Sequence, residues 1–150
     1  MNTDVSKDEA FQQRYLNTYK SRGARIRQST LKQYFELMEA EKESVSLNLR
    51  RLYLQLFGEY TSIRLNHVAF VTQMMNLIND TYPVIDSGLA YTFGFEEPTQ
   101  SRMSMSERIH VYEEFYTHLR MVYKEVISER MIYDLLKVFE ITLKREGRKV

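Results

Sequence analysis

Residues 31–63 read LKQYFELMEAEKESVSLNLRRLYLQLFGEYTSI, and the spacing of their apolar side chains decides the fold class. Leu31, Phe35, Met38, Val45, Leu49, Leu52, Leu56 and Ile63 fall on alternating steps of three and four, with Lys42 and Glu59 at the two remaining seam positions. Such steps gather side chains on one face of an α-helix, whereas a strand would alternate every second residue. A second stripe through Tyr53, Phe57 and Tyr60 widens that face beyond a two-stranded seam, as a helix packed among other helices requires. Lys42 and Glu59 interrupt the seam with charge, which costs stability and selects register and partner.

The same signals recur on both sides. Ser6 with Glu9, Thr30 with Gln33 and Ser104 with Glu107 have the spacing of a capping box, in which two side chains satisfy orphan amides at a helix start. Phe11, Tyr15 and Tyr19 recur every fourth residue, and Gly23 then offers a left-handed stop. Residues 63–78 are apolar on several sides and end near Asn79 and Pro83. Ile109, Tyr112, Tyr116, Leu119, Tyr123 and Ile127 make the last stripe, and steps of four through Met131 and Leu135 mark a stutter. One long helix changes twist there, or Ser128 begins a new one.

These patterns predict an all-α chain, a helical bundle of four or five helices at 7–22, 31–57, 63–79 and 105–145, the last in one or two pieces. Five Gly and two Pro in 150 residues supply too few turns for a sandwich or barrel. Between Pro83 and Met103 the period changes: Leu89, Tyr91, Phe93 and Phe95 alternate, after a turn signal at Asp86-Ser87-Gly88. A short β-hairpin or an aromatic-rich loop is expected near 82–96.

Composition narrows the function. A chain that is 43% hydrophobic and 27% charged can bury a core, and its length suits one domain. Without cysteine there is no disulfide, thiolate metal site or thiol nucleophile. The polar first ten residues predict no signal peptide, and no run nears the ~20 apolar residues of a membrane span. A cytoplasmic protein without membrane partners is the expectation. Glu107 and His110 have the Glu-x-x-His spacing of di-iron bundles, but neither His67 nor His118 supplies the second copy those sites need. No phosphate-binding glycine loop or serine elbow occurs, so no catalytic residue, metal or cofactor is expected. Eight methionines, scattered along helical stripes, serve as core filling.

Two functional readings follow. The first is a non-enzymatic interaction or assembly protein, self-associating or a small subunit of a larger complex, with a partner surface through Leu31, Phe35, Lys42, Val45, Leu49, Tyr91, Phe93 and Phe95. Continuous helices of 33 and 41 residues would extend about 50 and 60 Å, beyond the roughly 40 Å of a compact globule of this size. Apolar stripes on projecting helices would then need cover. The second reading is nucleic-acid binding by the junction at 20–32. The net charge of +1 argues against bulk electrostatic coating, but Lys20, Arg22, Arg25, Arg27 and Lys32 lie in a stretch with no acid between Glu9 and Glu36. Arg50 and Arg51 would add to such a patch, and nearby Tyr15 and Tyr19 would stack bases.

Overall fold

A computed structural model of the chain describes residues 4–18, 26–58, 63–99 and 101–129, together with Tyr133 and Lys137. Among these residues the fold is all-helical, with no strand: α1 (Glu9–Thr18), α2 (Gln28–Glu41), α3 (Leu49–Phe57), α4 (Leu65–Ile78), α5 (Ser87–Thr92) and α6 (Met105–Ser128). The amphipathic helix α3 is central and touches α2, α4 and α6, while α2 also meets α4. It turns Leu49, Leu52, Tyr53 and Leu56 inward. The apolar helix α4 buries Val68, Phe70, Val71, Met74 and Met75 among others. From α6 come Ile109, Tyr112, Tyr116 and Leu119. Met38, Met74 and Met75 are fully buried, which is the core-filling role their flexible thioethers suit.

The long helix expected from residue 31 onward is two helices. After Glu41 the chain leaves α2, and Asn48 starts α3 by accepting a hydrogen bond from the Arg51 amide at 2.8 Å. The turn is pinned by the Glu41 carboxylate, which accepts from Ser44 Oγ at 2.8 Å and takes a two-pronged contact from Arg51 at 2.5 and 2.8 Å. That guanidinium, then Ser44, hold the Glu41 carboxyl below its ordinary pKa against the effect of burial. Val45, placed on the seam by its spacing, lies in this turn and is 96% exposed. Glu59, the other polar seam residue, lies outside the described residues.

Of the three capping boxes, one forms. Ser104 Oγ accepts from the Glu107 amide at 3.2 Å and Glu107 Oε2 accepts from the Ser104 amide at 2.7 Å. At the chain start Asp4 takes both the amide and the hydroxyl of Ser6, and Asp8 instead accepts from the Phe11 amide at 2.9 Å in the first turn of α1. Thr30 lies inside α2, whose start at Arg27 has no side-chain cap.

The β-hairpin is a helix. Asp86 does not begin a turn between strands but caps α5, accepting from the Leu89 amide at 2.7 Å. Gly94, at φ +63°, closes it: the Gly94 amide donates to the Tyr91 carbonyl and the Phe95 amide to the Ala90 carbonyl, the paired bonds of a Schellman ending. Phe95 then stacks on Phe115 with ring centroids 4.2 Å apart. Of the three aromatic residues only Phe95 is covered in this way, since Phe93 is 40% and Tyr91 87% exposed.

Candidate functional site

The most conspicuous surface follows from a mismatch between α6 and the core. The helix is 24 residues long, about 36 Å, yet its buried side chains stop at Leu119. No residue from 120 to 129 is buried. Tyr123 and Ile127 continue the stripe of Tyr112, Tyr116 and Leu119 at helical spacing, but they are 37% and 55% exposed, and Met121 at their side is 67% exposed. A groove of about 570 Å³ runs beside this half-helix. Met121, Tyr123 and Ile127 give it apolar walls, Arg120 and Lys124 its charges, and Thr81 closes one side. Among the described lining residues there is no carboxylate. Arg120 is held with its guanidinium 4.1 Å above the Tyr82 ring. A contiguous apolar surface of this kind, rimmed by polar groups, is what interaction sites display.

The turn at 42–48 lies next to this groove. Leu47, Asn48 and Leu49 share a small notch of about 100 Å³ with Glu113, Thr117 and Arg120, and Thr117 and Arg120 also line the groove. Tyr82 ties the two features together, since its ring carries Arg120 and its hydroxyl accepts from the Leu47 amide at 3.0 Å.

The residues expected at a partner surface are divided by the fold. Phe35 and Leu49 belong to the chain's own core, at 2% and 4% exposure, and Leu31 packs partly against it. Lys42 is paired with Glu39. Val45, Tyr91 and Phe93 remain at the surface, and Phe95 is half-buried on α6. The signal for the groove was present in the sequence, because the α6 stripe runs through Tyr123 and Ile127. What was lacking was the position at which the core ends.

The basic residues are divided too. Lys20, Arg22 and Arg25 lie outside the described residues. Arg27 and Lys32 flank the start of α2 in exposed positions, Lys32 loosely paired with Glu36 at 3.8 Å. Arg50 donates to Glu113 at 2.8 Å and Arg51 to Glu41, so both are engaged in joining helices.

The histidines do not converge. His67 stacks on Phe57 at 4.4 Å, and burial, with the Arg64 cation, pushes its pKa down. His110 faces Glu114 at 3.5 Å on the exposed side of α6, and His118 meets the edge of Phe93. Glu107, the carboxylate of the Glu-x-x-His spacing, is committed to the Ser104 cap, which holds its pKa down. Among the described residues no group of three or more His, Asp or Glu side chains could hold a metal ion, and no helix is long and apolar enough to cross a membrane.

One charged group escaped the sequence reading. Arg108, on the first turns of α6, is 8% exposed, and its Nε and Nη1 atoms are buried without a hydrogen-bond partner. Its Nη2 reaches only Met105 Sδ, at 4.0 Å. Tyr53 Oη is likewise buried, beside the backbone of Arg64. Nearby, Tyr112 donates to Glu97 Oε2 at 3.0 Å, the same oxygen that accepts from the Leu65 amide at the start of α4. Burial raises the pKa of the Tyr112 phenol, and the Glu97 carboxylate adds to it. In comparisons with protein-family models, curated proteins and solved structures, the chain matches none significantly.

Proposed function

We propose that the chain is a non-enzymatic helical assembly protein, which joins copies of itself or a larger complex through the projecting half of α6 and the groove beside it. The observation that carries this reading is that the apolar stripe of α6 outlasts the core, leaving Tyr123 and Ile127 uncovered. Burying such side chains contributes about 1.5–3 kcal/mol each when water is excluded, enough for a few of them to anchor an interface.

The test compares the full chain with a Met121→Glu/Ile127→Glu variant, by sedimentation and by affinity capture from the native host. Both positions are more than half exposed, so helix content and melting temperature should stay as they are. The wild type is expected to oligomerise or to retain partners that the variant loses. A wild-type chain that does neither would remove the reading.

A second reading, nucleic-acid binding through the 20–32 segment, is favoured by one feature of α2. Its first turn carries no acidic residue and no side-chain cap, and Arg27 occupies the cap position. Free amides at a helix start and adjacent cations suit phosphate oxygens. Three phosphate contacts would weaken binding to duplex DNA about fortyfold between about 50 and 200 mM salt. An Arg22/Arg25/Arg27→Ala variant should flatten that dependence. Absence of binding at the lowest salt would dispose of this reading.

A further inference from the structure

We propose that the α6 groove receives the Val45 turn of a second copy of this chain, and that the exchange is reciprocal, giving a closed dimer. The inference rests on the assembly reading and names its partner.

The two surfaces are complementary in kind. The groove has apolar walls at Met121, Tyr123 and Ile127, with Arg120 and Lys124 as its charges and no carboxylate among its described lining residues. Lys124 makes no ion pair with another described residue. The turn presents the reverse. Val45 is its apolar tip, at 96% exposure, and Glu43 two residues before it is exposed and in no ion pair among the described residues. Lys42, the nearest cation in sequence, is committed to Glu39.

The turn is also held in shape before any partner arrives. The Ser44 amide donates to the Glu41 carbonyl at 2.8 Å, Ser44 Oγ to the Glu41 carboxylate, and the Leu47 amide to the buried Tyr82 hydroxyl. A fixed loop loses little conformational freedom on docking, which favours association. Val45, at the tip of this turn, supports nothing inside its own chain and is free to enter a partner.

Placement supplies the symmetry. The base of the turn, at Leu47 and Asn48, adjoins Thr117 and Arg120, which also line the groove. A two-fold axis between neighbouring complementary patches sets the turn of each copy into the groove of the other. Every contact is then made twice and the assembly closes. Glu43 of each copy faces Lys124 of the other across the rim.

Sedimentation equilibrium of the full chain over a wide concentration range provides the test. A dimer that weakens with salt is expected. Val45→Asp should abolish it while leaving the melting temperature of the monomer in place, because the side chain is almost wholly exposed. Glu43→Lys and Lys124→Glu should each weaken the dimer about tenfold, and the double variant should recover to within about threefold of wild type, as restored charge pairs do. A chain that stays monomeric at high micromolar concentration overturns the proposal, as does a dimer indifferent to Val45→Asp or a double variant weaker than either single one. If the monomeric chain still retains host proteins that Met121→Glu/Ile127→Glu releases, this inference fails and the assembly reading stands. If it retains none, both fail.

Discussion

Tyr34→Ala is expected to destabilise the fold by about 3–5 kcal/mol, the range for removing a large aromatic ring from a packed core. Tyr34 has no exposed surface and joins three helices. Its ring stacks on Phe70 of α4 with centroids 3.9 Å apart and meets the edge of Phe35 at 5.5 Å. Its hydroxyl donates to the Phe70 carbonyl at 3.0 Å. Because a phenol has one proton, the 2.5 Å contact between the Tyr34 and Tyr15 hydroxyls is donated by Tyr15, from α1. Alanine removes the ring contacts and the acceptor for Tyr15 together. Against a total stability of about 5–15 kcal/mol, the variant would be largely unfolded in a domain at the lower end. Tyr34→Phe separates the terms, keeping the ring and losing the hydroxyl at a cost of about 1–2 kcal/mol. Urea unfolding with an unchanged slope measures both. A loss below about 1.5 kcal/mol for alanine, half the lower end of the range for a buried aromatic ring, would contradict this packing.

The sequence carried the fold class because residues 49–57, 65–78 and 105–119 show helical periodicity that survives in the structure as buried stripes on α3, α4 and α6. It misled where a periodicity runs across a break. Val45 sits in phase with Leu49 and Leu52, yet the chain turns at 42–48 because Asn48 offers its side chain to the Arg51 amide and Glu41 draws back Ser44 and Arg51. Asparagine before an apolar run was the available sign. The hairpin expectation failed for a related reason: Asp86 can open a turn or cap a helix, and the sequence Asp-Ser-Gly is common to both. Capping-box spacing likewise proved necessary and insufficient, as Asp4 and Asp8 displaced Ser6 at the start of α1 while Ser104 had no competitor. The groove was legible only in part. Tyr123 and Ile127 were visible as stripe residues, but their exposure depends on where α3 stops covering α6, which is a matter of three-dimensional packing. Arg108 gave no signal at all, since an arginine among the first residues of a polar helix start reads as solvated.

Arg108→Met is expected to stabilise the protein, by about 1–3 kcal/mol, a sign opposite to that of most substitutions at buried positions. A guanidinium stays charged when buried, and removing it from water carries a penalty of several kcal/mol unless partners repay it. Here the side chain is 8% exposed, two of its three nitrogens are buried and unbonded, and the third meets a thioether at 4.0 Å. Glu97, the acid of the cluster, accepts from the Tyr112 hydroxyl and the Leu65 amide, and no described carboxylate forms an ion pair with Arg108. Methionine keeps a flexible unbranched stem and removes the ionic head, and it is tolerated in irregular core space. The gain should persist at high salt, since a buried charge is little screened. Arg108→Lys, which retains the charge and shortens the reach, should bring no such gain. Thermal and urea unfolding of the three proteins decide the matter. A methionine variant less stable than wild type by about 1.5 kcal/mol or more, the lower end for a hydrogen bond to a charged group, would mean that the guanidinium has a partner which holds the junction of α3 and α6 together.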